Sequence, residues 1–435
     1  MGLPSARQHD AYDQCMGHPP TQRVANETRF MVWSSSDETA LGNALNVWAH
    51  TLLFALYTAR QIVIGVGTVP ELLCGPHGVF ACAAPSFDAA DSPLPARLRA
   101  PGAWKEPHAH TPGPSDDWRV AGASAEIVLR SASKGWNYYH GVDPDLAEGN
   151  RAVRCAVTAL GCEDATSGPR NGCAMEAVAH ALLAPTPRAP FVAAALASAR
   201  WRGAGGGAGG ELERALRGGR FGGTLHLRLL PPNFERKKHA PKPTAEKEAP
   251  YAALYNWLVS ADARASWWRC LRRAVGADNS SRVLFVATDA DGLCRAVTAT
   301  APRGGDGDDG GDERAAGLAC LDAKPFNIHF EHANKQYGAV EGERLHTHQL
   351  VALDWYLLTR GARAVMGAHR PMGDTKLAPF RASGALTTGK SFFAWARALS
   401  GAGFANNGAD PAWEGCAKLV PSNEELLAKY ASRRA

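Results

Sequence analysis

The chain has 435 residues, of which 45% are hydrophobic and 20% are charged, as in ordinary globular proteins. A chain of this length is too long to fold around a single hydrophobic core, so we expect two domains of roughly 200 residues each. Its composition excludes global disorder. The net charge of +5 arises from 47 basic and 42 acidic residues spread along the chain, a pattern that does not favour nucleic-acid binding.

Strand-like and helix-like segments alternate in the first half of the chain. Residues 1–28 are polar and predict a tail, and RFMVW (29–33) predicts a strand that ends in the polar loop SSSDETALGN (34–43). Helical spacing follows, and QIVIGVG (61–67) predicts a second buried strand. Because parallel strands need a crossover between them, this unit predicts parallel pairing, and SAEIVLRS (124–131) predicts a further strand.

A glycine-rich run marks the predicted domain boundary. The segment 172–201 has helical periodicity interrupted by two prolines, which lack the N–H that a helix interior needs. GAGGGAGG (203–210) then predicts a flexible linker. We therefore predict an N-terminal domain at 29–210 and a C-terminal domain at 211–435.

The second half repeats the alternation. GGTLHLRLLPP (222–232) predicts a buried strand, and SRVLFVATDADGL (281–293) predicts a strand that leads into a loop. LVALDWYLLTRGA (350–362) predicts a helix, and ARAVMG (362–367) predicts the strand after it. The alternation in both halves predicts an α/β fold with two Rossmann-like domains that face a cleft.

An arginine interrupts the first strand of the second half. Arg228 stays ionised, and a buried guanidinium needs a partner of opposite charge, either a bound phosphate or the carboxylate of a distant residue. Ligands of open parallel α/β sheets bind beyond the carboxyl ends of the strands. We expect such a site where the loops after four predicted strands meet, at 34–43, 229–231, 288–292 and 367–373.

The first and third of these loops contain further candidate residues. Gly42 and Asn43 precede a predicted helix whose first N–H groups would contact an anion, and Asn43 also suits the role of helix cap. Asp289 would accept hydrogen bonds from a base or ribose, or would form a turn. Asp37 and Glu38 would supply a catalytic base, or would stabilise the start of the helix.

Metal chemistry is the sharpest alternative. His329, His332, His346 and His348 offer imidazoles at metal-ligand spacings, which suggests zinc-dependent hydrolysis. They stand in loop-like sequence without an HExxH motif, so we expect no metal site. The acidic loop 303–314 lacks the ligand spacing of an EF-hand.

The cysteines and the hydrophobic segments indicate the cellular compartment. The ten cysteines include no CxxC pair. The three cysteines between 155 and 173, together with the sequons at Asn26 and Asn279, suit a secretory glycoprotein, although ten thiols also suit a reducing compartment. The first residues lack the apolar core of a signal peptide, and the apolar segment 47–67 contains a histidine and an arginine. We expect any membrane anchor to lie outside this sequence.

Taken in order, these stretches resemble fucosyltransferase-like glycosyltransferases of the GT-B type, the group that contains xyloglucan, core N-glycan and protein O-fucosyltransferases. Residues 29–65 are similar to the family's opening strand, GxGN-like loop, helix and strand. GCAMEAVAHALLAPTPRA (172–189) resembles the segment before its HxR strand, and LHLR (225–228) resembles HxR itself. VLFVATDADG (283–292) resembles the strand that ends in TDS/E, and 350–367 resembles the helix and strand before a Ser-rich loop.

The resemblance implies a function and a set of site residues. It implies inverting transfer of fucose from GDP-fucose to a glycan or glycoprotein acceptor in the Golgi lumen, with no metal and no other cofactor. Arg228 would bind the β-phosphate of the donor, with His226 as a nearby support. The other implied nucleotide-sugar residues are Gly42, Asn43, Thr288, Asp289 and Arg370, and Glu38 and Asp37 are the candidates for a base.

Three positions depart from the family pattern. Ala40 replaces the first glycine of GxGN, Leu229 or Leu230 replaces the acidic residue after HxR, and AHRPMG (368–373) replaces the Ser-x-Phe loop. Two interpretations therefore stay open: an active transferase, or a catalytically degraded nucleotide-sugar or glycan-binding protein on the same scaffold.

Overall fold

The protein is a mixed α/β protein, which confirms the predicted fold class at that level. Its chain divides into two compact units, one formed by Met1–Arg188 with Thr388–Leu399 and the other by Ala189–Thr387 with Ser400–Ala435. The computed structural model describes residues 6–17, 30–33, 41, 61–64, 73–74, 78–82, 109–110, 128–130, 155, 158–159, 187–202, 208–228, 245–276, 283–288, 292–299, 317–321, 341–369, 381–382, 415–416 and 418–431.

The first unit contains a four-stranded parallel sheet. The described elements of this unit are helix α1 (Ala6–Met16) and strands β1 (Phe30–Trp33), β2 (Gln61–Ile64), β3 (Ala109–His110) and β4 (Val128–Arg130). The strands follow the order β2-β1-β4-β3 in the sheet, and Ile62 and Val63 in β2 are fully buried. The strands predicted near residues 30, 62 and 128 are therefore confirmed.

The N-terminal residues that the sequence predicts as a tail include helix α1. Tyr12 on this helix is buried, and a disulfide joins Cys15 to Cys155 across 140 residues of sequence. A second disulfide, Cys74–Cys82, closes a short loop. The polar composition of residues 1–28 suggests a tail because the spacing of the cysteines in the sequence does not reveal that Cys15 pairs with Cys155.

The second unit contains a six-stranded mixed sheet. Its described elements are α2 (Ala189–Ser198), β5 (Ala199–Arg202), α3 (Ala208–Leu216), β6 (Phe221–Arg228), α4 (Ala245–Leu258), α5 (Ala261–Ala263), a π-helical turn (Arg264–Trp268), α6 (Arg269–Gly276), β7 (Val283–Thr288), α7 (Leu293–Ala299), β8 (Gly317–Leu321), α8 (Glu341–Leu358), β9 (Gly361–His369), β10 (Arg381–Ala382) and α9 (Asn423–Tyr430). The strands follow the order β10-β9-β6-β7-β8-β5. The inner four strands are parallel, and β5 and β10 are antiparallel edges.

The start of the second unit differs from the predicted boundary region. α2 and β5 precede the glycine-rich run and belong to the second unit, where β5 pairs with β8. α3 begins at Ala208, within the run that predicts a linker. Leu212 and Leu216 on this helix are fully buried, and their burial outweighs the weak helix propensity of the glycines.

Helices cover both faces of the six-stranded sheet. Leu225 and Leu227 of β6 belong to an apolar core with residues of α4, α6, α7 and α9. On the other face, the hydroxyl of Thr224 donates a hydrogen bond to the carbonyl of Leu358 at 3.0 Å, so β6 contacts the end of α8 there. Coverage on both faces explains why every residue of β7 and β8 is buried and why the β7 sequence is a continuous apolar run.

The helix layer on the Leu225 face is held by buried tryptophans and two disulfides. Trp267 and Trp268 are adjacent in sequence and both buried, and the indole N–H of Trp268 donates to the carbonyl of Leu258 at 2.9 Å. Disulfides Cys270–Cys416 and Cys294–Cys320 join α6 to the segment before α9 and α7 to β8. All eight described cysteines of the chain are paired.

Polar contacts anchor α9 on this layer. Asp262 accepts hydrogen bonds from the ammonium of Lys429 at 2.7 Å and from the hydroxyl of Tyr430. A capping box begins the helix: Glu425 N–H donates to the Ser422 hydroxyl at 3.3 Å, and Ser422 N–H donates to the Glu425 carboxylate at 2.7 Å. The hydrogen bonds from Ser422, first that of its backbone N–H, lower the pKa of Glu425 below 4.5.

A glycine turn directs the chain from α3 into β6. Gly218 has φ +101°, its N–H donates to Ala215, and Gly219 N–H donates to Arg214 at 2.8 Å. This pattern is a Schellman motif, which satisfies the last carbonyls of the helix. A Cβ at position 219 would lie 2.8 Å from the Arg214 carbonyl oxygen, so both glycines are required by the turn.

We predict that Gly218→Ala lowers the free energy of unfolding by about 1–2 kcal/mol, because an L-residue is strained at positive φ. Gly210→Ala in α3 is the matched control: a Cβ there meets no atom within 4 Å. That variant should gain about 0.5–1 kcal/mol from helix propensity. Urea denaturation followed by tryptophan fluorescence measures the unfolding free energy of both variants. Equal changes in the two variants would contradict the requirement for glycine at position 218.

We predict that acid weakens the start of α9. A carboxyl whose folded pKa is lowered stabilises the fold above its ordinary pKa of 4.5, and this contribution is lost as the pH falls through the lowered value. NMR titration of Glu425 and of the Ser422 amide should give a midpoint below 4.5. Glu425→Gln should abolish the shift of the Ser422 amide over this range, and an unchanged shift in that variant would refute the assignment.

Candidate functional site

The strand order of the six-stranded sheet reverses at β6. β7 and β8 add on one side of β6, and the chain then returns through α8 to place β9 on its other side. In open α/β sheets, the carboxyl ends of the two strands at such a reversal border a crevice in which ligands bind. The second unit therefore has a candidate site at the carboxyl ends of β6 and β9.

Three of the sequence-predicted stretches meet at this edge. Arg228, the last residue of β6, is in register with His369, the last residue of β9. On the other side, Leu227 is in register with Thr288, the last residue of β7. Because neighbouring strands lie about 4.8 Å apart, the three strand ends span about 10 Å.

His226 differs from its neighbours in β6 in its exposure to solvent. Side chains are described for residues 221–227 of this strand: His226 is partly exposed, and all the others are buried. Its register neighbours are small, Ala287 on β7 and Gly367 on β9. Neither neighbouring strand therefore places a bulky side chain beside His226, two residues before the end of β6.

Two described residues flank the segment that follows β7. Thr288, the last residue of β7, is buried, and Gly292, the residue before α7, has φ +72°. The hydroxyl of Tyr255 on α4 lies near Gly292, since a Cβ at position 292 would lie 3.3 Å from it. Sequence reasoning assigns no role to Tyr255, because a helical tyrosine carries no sequence signal of which distant residue it lies near.

The structure describes the other candidate residues only in part. For Arg228 it gives the backbone position alone, so the nature of its partner stays a prediction. His346 and His348, which the sequence places in a loop, lie on α8, whereas His329 and His332 are not described. The candidates outside the described residues are Asp37, Glu38, Gly42, Asn43, Asp289 and Arg370.

Within the described residues, no group of three or more His, Cys, Asp or Glu side chains would hold a metal ion. No helix of that same part of the chain combines the length and the apolar content needed to cross a bilayer. Comparisons with family models, curated proteins and solved structures find no match to this chain.

We predict that the strand tolerates substitution at His226 far better than at its neighbour. Leu227→Ala should cost about 2–5 kcal/mol of unfolding free energy, because it leaves a cavity in the core. His226→Ala should cost under about 1 kcal/mol, as expected at a partly exposed position. Urea denaturation of both variants gives the two changes in unfolding free energy. A loss for His226→Ala as large as that for Leu227→Ala would mean that His226 is packed as tightly as a core residue.

Proposed function

We propose that the second unit binds the diphosphate of a GDP-sugar at the carboxyl ends of β6 and β9. On this proposal the protein is an inverting glycosyltransferase that moves fucose from GDP-fucose to a glycan or glycoprotein acceptor. It would have two Rossmann-like domains of the GT-B type that face a cleft. The observation that carries the proposal is the reversal of strand order at β6, with Arg228 as its last residue and a partly exposed histidine two residues earlier.

Arg228 would stabilise the leaving group. As the bond between the sugar and the β-phosphate breaks, negative charge develops on the diphosphate, and an arginine presents two parallel N–H donors to it. A preorganised donor at such a position contributes on the order of 3–4 kcal/mol to the transition state. A cation from the chain itself meets this need without a metal ion.

The other proposed roles follow from position along the strands. His226, on the same strand as Arg228, would support the phosphate. Asp289 directly follows β7, whose last residue is Thr288, and would contact the nucleoside. Arg370 directly follows β9 and adds a second cationic position at this edge.

The first unit would supply the rest of the reaction machinery. Gly42 and Asn43 would contact the nucleotide through backbone N–H groups at a helix start. Asp37 or Glu38 would remove the proton from the acceptor hydroxyl as it attacks the anomeric carbon in line with the departing diphosphate.

The disulfides support a place in the secretory pathway. The described cysteines form two disulfides within each unit. Such cross-links form and persist in oxidising compartments. We therefore propose the Golgi lumen as the site of action, in keeping with the sequons at Asn26 and Asn279.

A specific feature favours a second candidate, a nucleotide-sugar-binding protein without transfer activity. The loop after β9 contains Arg370 and Pro371 where the resembled family has a Ser-x-Phe loop. Titration of the full chain with GDP and GDP-fucose, together with a transfer assay over glycan acceptors, separates the two candidates. GDP binding without transfer would support the binding protein, and absence of nucleotide binding would reject both.

We predict that Arg228→Ala reduces kcat/KM for transfer by about 100- to 1000-fold, as loss of one transition-state donor does. GDP affinity should fall by at least about tenfold, because a charged hydrogen bond is lost. Arg220→Ala is the matched control, since Arg220 is an exposed arginine next to the opposite end of the same strand. It should leave both quantities unchanged.

The melting temperature separates the two partners proposed for Arg228. If phosphate is the partner, Arg228→Ala leaves no buried carboxylate behind, so the melting temperature of the ligand-free chain stays the same or rises. If an internal carboxylate is the partner, the variant loses about 3–5 kcal/mol, and the proposed function fails.

A further inference from the structure

The chain passes from the first unit to the second at the bond between Arg188 and Ala189. Helix α2 begins at Ala189, so no linker residue separates the two units at this crossing. The helix packs against α3 and α8 within the second unit, and Ala195 on it is fully buried. The second unit therefore holds its end of the crossing through a packed helix. The crossings at 387–388 and 399–400 lie outside the described residues.

In the first unit, direct contacts hold the last two residues before the crossing. Pro187 is buried and pairs with Phe80 in an antiparallel bridge. The backbone N–H of Arg188 donates to the carbonyl of Val79 at 2.9 Å, and its side-chain Nε–H donates to the carbonyl of Phe80 at 3.3 Å. Val79 and Phe80 thus support the crossing from the side of the first unit.

A disulfide closes the loop that carries these two supporting residues. Cys74 and Cys82 form the cross-link, and Val79 and Phe80 lie between them in the chain. Both residues are fully buried, and the N–H of Phe80 donates to the carbonyl of Leu73 at 2.8 Å, next to the disulfide. Because a cross-link restricts the open conformations of the loop that it closes, the disulfide stabilises the position of both carbonyls.

The exposure of its cysteines distinguishes this disulfide from a buried one in the second unit. Cys74 is buried, whereas Cys82 is partly exposed. In the Cys294–Cys320 disulfide, both cysteines are buried. Thiol–disulfide exchange requires an attacking thiolate to reach one of the two sulfur atoms. A reductant in solution therefore reaches Cys74–Cys82, through Cys82, more readily than it reaches Cys294–Cys320.

We propose that the Cys74–Cys82 disulfide is a redox-sensitive anchor of the crossing between the two units. A thiolate of a dithiol reductant attacks Sγ of Cys82, the S–S bond breaks, and Cys74 leaves as a thiolate. The second thiol of the reductant then displaces Cys82 from the mixed disulfide. Two electrons thereby pass to the cysteine pair, and the reductant becomes a disulfide. The opened loop then releases Arg188, an outcome that does not depend on the proposed function.

The first experiment reduces the folded full chain with dithiothreitol. The thiols that form are trapped by alkylation at successive times and located by mass spectrometry. We expect Cys74 and Cys82 to be alkylated at least about tenfold faster than Cys294 and Cys320, because access to sulfur limits the exchange reaction. Equal rates, or earlier reduction of Cys294–Cys320, would contradict the proposal.

Hydrogen–deuterium exchange of the same reduced protein reports the release of the crossing. We expect the amides of Phe80 and Arg188 to exchange at least about tenfold faster than in the oxidised protein, since the cross-link and the hydrogen bonds both oppose local opening. Exchange in β2 should be unchanged. Unchanged exchange at Arg188 would overturn the proposal. Loss of protection in β2 as well would also overturn it, because the disulfide would then hold the whole first unit.

Two double substitutions separate this disulfide from the other one in the first unit. Cys74→Ser/Cys82→Ser removes the cross-link without leaving a free thiol, and Cys15→Ser/Cys155→Ser is the matched control. Trypsin gives the readout, because it cleaves after Arg188 where the local backbone opens. We expect this cleavage to be at least about tenfold faster in the first variant and unchanged in the control. Equal cleavage rates in the two variants would contradict the anchor.

A single substitution tests the side-chain contact while the disulfide stays intact. Arg188→Lys keeps the positive charge but removes the Nε–H that donates to the carbonyl of Phe80. We expect the amide of residue 188 to exchange about threefold faster, as the loss of one hydrogen bond predicts, and dithiothreitol to accelerate this exchange further. Unchanged exchange both in this variant and after its reduction would mean that the loop does not hold the crossing.

Discussion

Parallel backbone pairing on both sides of β6 is the constraint on which the second unit depends. Hydrogen bonds to β7 and β9 fix the register of this strand along most of its length. A slip of one residue would exchange the two faces and move Leu225 and Leu227 out of the core. The register that buries these leucines also places His226 on the opposite face, with Thr224, and Arg228 in register with His369. Core packing and the candidate site are thus set by the same interaction.

The helix layer behind this sheet is cross-linked as well as packed. Cys270–Cys416 closes a loop across 146 residues, and Cys294–Cys320 closes one across 26. On the chain-entropy model, cross-links of these lengths contribute about 5 and about 3.5 kcal/mol. The second disulfide joins α7, the helix that follows β7 in the chain, to the neighbouring strand β8. A preorganised support of this kind would lower the cost of binding a ligand at the proposed site.

The strands near the site were predictable because each carries its own apolar pattern. Residues 224–228 and 283–288 read as buried strands, and α8 and β9 follow as predicted, although α8 begins at Glu341 and β9 extends to His369. The short edge strands β5 and β10 have no such pattern. Strand order, the register of Arg228 with His369 and the disulfide partners are all set by residues far apart in sequence, which local periodicity cannot report.

The most direct test of a ligand site at this edge is a crystal structure of the full chain with GDP. We expect the diphosphate to lie at the carboxyl ends of β6 and β9, with the guanidinium of Arg228 bound to a β-phosphate oxygen. GDP bound elsewhere on the protein, or an Arg228 side chain paired with an internal carboxylate, would contradict the site and the transfer chemistry assigned to it.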